Sequence, residues 1–178
     1  MTLLTQSTTL ARPSYRLVEV YDSDACLTDE TAIAAAQRNV VGGNGYHLYM
    51  RSLQSDLKVE VIVRVWDGPQ PPPAEVEGSM AVSLESETGL LVIGQFTFGP
   101  AAEMSLPRPG VYEGNVSWAG RVAAAEYYEH TLRQIEGDWS AARIRQLWDD
   151  NPQPEQYTLD LWYVREPEPV DDEDDEDD

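Results

Sequence analysis

The sequence predicts a mainly β chain: an antiparallel β-sandwich of about seven strands with a helical insertion before the last strand. Two stretches carry that expectation. From Leu57 to Trp66 apolar and polar residues alternate, with Leu57, Val59, Val61, Val63 and Val65 on one face. From Gln156 to Arg165, Tyr157, Leu159, Leu161 and Tyr163 alternate with Thr158, Asp160 and Trp162. A period of two, rich in β-branched and aromatic residues, marks a half-buried strand. Shorter runs of the same kind recur between turns rich in Gly and Pro, as in sandwiches.

Residues 1–13 read as a polar lead-in, with neither the basic start nor the continuous apolar run of a secretion signal. Ser14–Asp22 is the first expected strand. Asp29–Arg38 reads as a short helix, with Thr28 as its N-cap and acids in its first turn. Gly42-Gly43-Asn44-Gly45 precedes a strand, whereas a dinucleotide loop follows a strand and opens a helix, so it reads as a flexible turn. Tyr46–Arg51 places Tyr46, Leu48 and Met50 together. The Leu57–Trp66 strand stops at Asp67-Gly68-Pro69, and Pro69–Pro73 reads as a stiff connection between strands. Gly78–Leu84 aligns Met80, Val82 and Leu84, and residues 85–89 form a turn. Leu90–Phe98 is expected to bury Leu90, Val92, Phe96 and Phe98, with Gly94 at a bulge or a close contact. Val111–Trp118 follows a proline-broken loop. Arg121–Asp150 reads as a helical hairpin. Ala124, Tyr128, Leu132 and Ile135 form its first stripe, Gly137-Asp138 interrupts it, and Ser140 caps a second helix carrying Ile144, Leu147 and Trp148. One domain over residues 14–165 results, with Val61 at the core and Trp118 closing it.

The length of 178 residues suits a single domain, and 42% hydrophobic content excludes global disorder. One Cys excludes a disulfide framework and a Cys-based zinc site, and two His exclude a His-rich metal cluster. No apolar run approaches the ~20 residues that cross a bilayer, so a cytoplasmic protein with no membrane partner is expected. Twelve Lys and Arg face 32 Asp and Glu, a net charge of −20, which argues against direct nucleic-acid binding because phosphates need neutralising cations. Half of that charge lies in Glu166–Asp178, which holds ten acids and no base. Pro167, Pro169 and mutual repulsion predict a disordered tail there. A salt-adapted host would impose the same acidic bias.

Catalytic signatures are absent: there is no nucleophile elbow, P-loop or HExxH. Glu126 and His130 share a helix face and read as a surface pair. His47 sits mid-strand between tyrosines. Cys26 follows two Asp residues, which disfavour the thiolate, and reads as buried and inert. Asp22, Asp24, Asp29 and Glu30 lack the spacing and the glycine of a calcium loop. No catalytic residue, cofactor or metal is therefore expected, and the chain reads as a non-enzyme. The acids on expected loops suit a binder of basic proteins. Asp22, Asp24, Asp29 and Glu30 are the first partner-binding candidates, and Glu85 and Glu87 the second. A fixed acidic surface can occupy a positive nucleic-acid-binding cleft and accelerate association. The same acids would also keep a sandwich soluble.

Leu27-Thr-Asp-Glu-Thr-Ala-Ile33 is followed by an alanine-rich helical turn, by the strands Tyr46–Arg51 and Leu57–Trp66, and by Gly89-Leu-Leu-Val-Ile93. Then come Leu106-Pro107-Arg-Pro-Gly110-Val-Tyr112 and Trp118. This order resembles the competence protein J (ComJ) family over Leu17–Trp118 and the final strand. The chain departs from that pattern by one extra residue in the Leu-Pro turn, by the 121–150 insertion and by the Asp/Glu tail. The resemblance implies a compact β-sandwich and inhibition of a nuclease involved in DNA uptake, and brings no catalytic residues. The functional expectation is thus a ComJ-like or immunity-type inhibitor of a basic protein, a nuclease foremost. The alternative is an assembly subunit docking through residues 121–150.

Overall fold

The computed structural model describes residues 1–169. Ten strands form two five-stranded sheets. The first has the order β1 (Leu3–Ala11), β5 (Val59–Trp66), β10 (Gln156–Arg165), β9 (Gly110–Ala119), β6 (Gly78–Ser86). The second has the order β3 (Val41–Gly43), β4 (His47–Arg51), β2 (Leu17–Asp22), β7 (Leu90–Gly94), β8 (Pro100–Ser105). Helix α1 (Glu30–Asn39) packs on β3 and β4, while α2 (Arg121–Leu132) and α3 (Ala141–Asp149) lie between β9 and β10 in sequence.

The alternation read from the sequence places the core. Val59, Val61, Val63 and Val65 of β5 and Tyr157, Leu159 and Leu161 of β10 are buried. They join Val18, Val20, Leu48, Met50, Leu91 and Ile93 of the second sheet in one cluster. Trp118 is half-buried against it.

Three expectations about strands are corrected. The count is ten rather than about seven, because β1, β3 and β8 were not foreseen. Residues 1–13 are not a lead-in: β1 pairs antiparallel with β5 from Leu3 to Ala11. The pairing is not wholly antiparallel, since β10 runs parallel to β5. Parallel neighbours need a crossover connection. The proline segment also crosses over, from β5 to the far edge strand β6. It runs across the outer face of the sheet, where Asn115 Nδ2 donates to the Gln70 carbonyl at 3.0 Å. Under it Asp160 is only 2% exposed. Its carboxylate accepts two bonds from Arg64, at 2.7 and 2.8 Å, and one from Trp66 Nε1 at 2.7 Å.

Smaller corrections follow from local chemistry. Asp29, not Thr28, caps α1, accepting from the Ala32 amide at 3.0 Å. Gly42 belongs to strand β3; a Cβ there would stand 2.2 Å from the Ala32 carbonyl oxygen, so the glycine lets α1 lie against the sheet. β7 ends at Gly94, where pairing with β8 shifts register, and the chain turns through a 3₁₀ segment that leaves Phe98 exposed rather than inward. β6 continues to Ser86, so Glu85 is a strand residue. In α2 the buried stripe passes through Ala124 and Thr131, and Leu132 is exposed. The Thr131 hydroxyl is satisfied by the Tyr127 and Tyr128 carbonyls at 2.9 and 3.0 Å, which permits its burial. Ser140 caps α3 as expected, accepting from the Arg143 amide. The expected disordered tail, residues 166–178, lies outside the described residues from 170 onward.

Candidate protein-binding end

The six predicted carboxylates gather at one end of the two sheets, where the 23–29 loop, the 44–46 turn and the 87–89 turn meet. Hydrogen bonds tie these segments: the Ser23 amide to the Leu90 carbonyl at 3.0 Å, Asn44 Nδ2 to Asp29 at 3.1 Å, and the Glu85 amide to the Gly45 carbonyl at 2.6 Å. The six residues do not share one role. Asp22 is buried, and its Oδ2 accepts from the Ser86 hydroxyl at 2.5 Å, the Thr88 hydroxyl at 2.7 Å and the Thr88 amide at 3.2 Å. It joins the end of β2 to the β6–β7 turn. Glu85 is also buried and accepts from the Glu168 amide at 2.7 Å, drawing residues after β10 onto this end. Burial first, and the charge of Glu85 next, raise the Tyr46 phenol above its ordinary value. Asp29 is half-buried as the helix cap. The Ala32 amide and then Asn44 hold its carboxyl below the usual carboxylate value. Asp24, Glu30 and Glu87 are exposed, as are Glu166 and Glu168 beside them.

A buried pair sets the 23–29 loop from below. His47 Nε2 lies 2.7 Å from Glu19 and Nδ1 lies 3.2 Å from the Ala25 carbonyl oxygen. Glu19 and Ala25 thus hold the imidazole ring at its two nitrogens. The ring is stacked between Tyr21 and Tyr49, with centroids at 4.5 and 4.3 Å. The Tyr49 hydroxyl in turn accepts from the Asp29 amide at 3.0 Å. Sequence reasoning missed Glu19; its one signal was a lone acid in the apolar run Leu17–Tyr21. Gly94 opposite has no Cβ, and one would stand 2.7 Å from the Glu19 side chain. Cys26, expected to be buried, is exposed in this loop.

The opposite end carries different chemistry. Ser14–Leu17 closes a two-residue turn with Tyr15 and Arg16 at φ 51 and 66°, and Phe96 sits at φ 51°. Such values cost strain for residues with a side chain. They hold Tyr15, 76% exposed, edge-on to Phe96 at 6.1 Å, beside Phe98, over which Arg12 stacks at 4.9 Å. An open depression of about 490 Å³ lies between Arg12, Tyr15, Asp56 and Phe98. Nothing in the sequence pattern marked this surface, because Tyr and Arg at a hairpin turn carry no glycine-like signal.

The first end carries exposed carboxylates on segments held by internal hydrogen bonds. Among the described residues no group of three His, Cys, Asp or Glu is placed to hold a metal ion, and no helix is long and apolar enough to cross a membrane.

No family model and no curated protein matches the chain. Two solved structures share its fold. One is the crystal structure of ComJ, inhibitor of the DNA degrading activity of NucA, from Bacillus subtilis. It is 11% identical, covers 92% of this chain and 98% of its own, and has a TM-score of 0.58. The other is described as crocagin biosynthetic gene J, 15% identical over 91% of this chain and 100% of that one, with a TM-score of 0.53.

Proposed function

We propose that this chain is a non-catalytic acidic protein that binds and inhibits a basic partner, a nuclease foremost, in the cytoplasm. The observation that carries the reading is the fold shared with ComJ over 92% of the chain. The acidic end supports it independently. Asp24, Glu30 and Glu87 project from segments that Asp22, Asp29 and Glu85 pin from inside, so a partner would meet carboxylates whose backbone is already ordered. The alternative, assembly through residues 121–150, has less support. Tyr128 donates to Asp56 and Arg121 to the Arg51 carbonyl, which docks the insertion onto its own body, while Tyr127 donates to the Leu147 carbonyl and ties α2 to α3.

The test is titration of the full chain into a DNA-degradation assay, with NucA as the first probe and a panel of other basic nucleases after it. Saturable loss of activity that weakens with added salt is the expected result. Undiminished DNA cleavage by every nuclease at large molar excess would overturn the reading.

A further inference from the structure

β6 ends its sheet: β9 pairs with one side of it and, among the described residues, no strand pairs with the other. Its centre, Ser79-Met-Ala-Val-Ser83, contains no charge and no proline, and the register with β9 runs without a bulge. Charges, prolines and bulges are the devices by which proteins block edge pairing. The neighbouring edge of the other sheet, β3, is only three residues long, and β8 opens with Pro100. β1 is likewise uncharged, but it lies alongside β7 and β8, which narrows that flank. β6 approaches the other sheet as well, through β2 and the bond of Glu85 to Gly45, but along Ser79–Ser83 no strand is paired with its free side among the described residues.

The direction of the free backbone groups follows from one bond. The Glu85 amide points away from β9 to the Gly45 carbonyl at 2.6 Å. Backbone groups two residues apart in a strand face the same side. The amides and carbonyls of Ala81 and Ser83 therefore face the open flank. Beside them runs a groove of about 240 Å³ between the sheets, lined by Met80, Val82, Leu48 and Val41, with Gly42 and Gly43 leaving its wall without side chains. Met80 is 38% exposed into this space. A free edge beside an apolar groove is the geometry of strand addition: the backbone supplies hydrogen bonds and the groove takes alternate side chains.

We propose that β6 receives an extended segment of a partner protein as an added strand, its alternate side chains apolar and its flanks basic. The flanks are set by charge: exposed Glu75 and Glu77 precede the strand, exposed Glu113 stands across from Ser83, and exposed Glu87 follows it. A second copy of this chain would bring the same acids and a net charge of −20 to the contact. The basic character of the segment rests on the proposed function; the strand addition does not.

The probe is a synthetic peptide of alternating Val and Thr with lysines at both ends, titrated into the isotopically labelled full chain and followed by amide NMR. Saturable binding is expected, with the largest shifts and slowed exchange at the Ala81 and Ser83 amides. Ala81→Pro removes an outward N–H without touching the β9 ladder and should weaken binding by about tenfold or more, whereas Ala81→Val, which keeps the amide, should not. A glutamate-flanked version of the peptide should bind at least about tenfold more weakly. Absence of saturation, shifts centred elsewhere, or an unaffected Ala81→Pro variant overturns strand addition. Equal affinity of the two peptides overturns the basic flanks. A concentration-dependent dimer that Ala81→Pro abolishes would make a second copy the occupant. Peptide binding without inhibition of any nuclease leaves the edge standing and removes the inhibitor reading.

Discussion

The two ends of the sheets handle charge in opposite ways. At the 23–30 end the acids divide: Asp22 and Glu85 are buried and hold loops together, while Asp24, Glu30 and Glu87 are exposed. At the other end one acid, Glu155, is fully buried. It accepts from Ser52 at 2.7 Å, Gln54 at 3.3 Å and Tyr157 at 2.5 Å, where the insertion returns to β10. Around it the exposed surface is aromatic, with Tyr15 and Phe98, and Arg12 there is paired with Asp56 at 2.8 Å. Charge at the first end can steer a partner over distance, while rigid aromatics supply contact energy without steering. A count of acids along the sequence conflates these two kinds of carboxylate, and the structure separates them residue by residue.

The sharpest test of that separation is a pair of substitutions two residues apart. Asp22→Lys would bury an unpaired cation and strip four donors of their acceptor. A loss of about 3–5 kcal/mol is expected in urea unfolding. Asp24→Lys should stay within about 0.5 kcal/mol of the parent. Reversal of both residues together therefore cannot report on binding alone. Equal stabilities for the two variants would mean that Asp22 is not the internal tie the hydrogen bonds describe.

Next in size is the functional contrast. Combined reversal of Asp24, Glu30 and Glu87 to Lys should slow association with a basic nuclease by about tenfold at low salt, through lost steering. Tyr15→Ala with Phe98→Ala should leave it unchanged. The reverse outcome would move the binding site to the aromatic end.

A smaller effect concerns pH. Burial is the main cause holding the Glu155 carboxyl above its ordinary value of 4.5, against the lowering by its Tyr157, Ser52 and Gln54 donors. A raised carboxyl pKa means that the folded state binds more protons than the unfolded state between the two values. Stability from this group is therefore largest below 4.5 and declines as pH rises through the window above it. Glu155→Gln should remove that decline, so its stability relative to the parent should improve as pH rises from acid toward neutral. Unfolding curves that stay parallel for the two proteins across that range would show that Glu155 does not titrate differently on folding.

Much of the architecture was legible where burial and periodicity agree. β5 is buried on one face as its alternation implies, β10 buries Tyr157, Leu159 and Leu161 as expected and Thr158 and Asp160 on its other face as well, and Ser140 caps α3 by purely local chemistry. β1 was illegible because Leu3, Leu4 and Leu10 are exposed and its stability comes from pairing with β5, not from an apolar face of its own. β8 was hidden by Pro100, which a strand tolerates at its first residue. The parallel β5–β10 pair joins segments some ninety residues apart, a separation no local pattern encodes. The candidate loops were found by their acids, but which acids stay exposed depends on Ser86 and Thr88, far along the chain from Asp22. Nothing near Asp22 in sequence distinguishes it from Asp24.

The smallest expected effect concerns the last residues. Deletion of 170–178 removes eight acids and, by cutting after Pro169, preserves the Glu168 amide bond to Glu85 and the 2.9 Å contact of Tyr163 with Glu166. Stability should change by less than about 0.5 kcal/mol. The association rate with a basic nuclease should fall only a few-fold at low salt, because the deleted charge adds to a field the body already provides. That difference should vanish at about 1 M salt, where screening acts within ~3 Å. The dissociation rate should not move, since contacts held in the complex set it and those lie on the body loops. Deletion from Glu166 onward also removes the ligand of Glu85 and so tests the loop platform itself. If the shorter deletion raises the dissociation rate as much as reversal of Asp24, Glu30 and Glu87 does, the tail is a contact element and the distinction between pinned body carboxylates and steering charge fails.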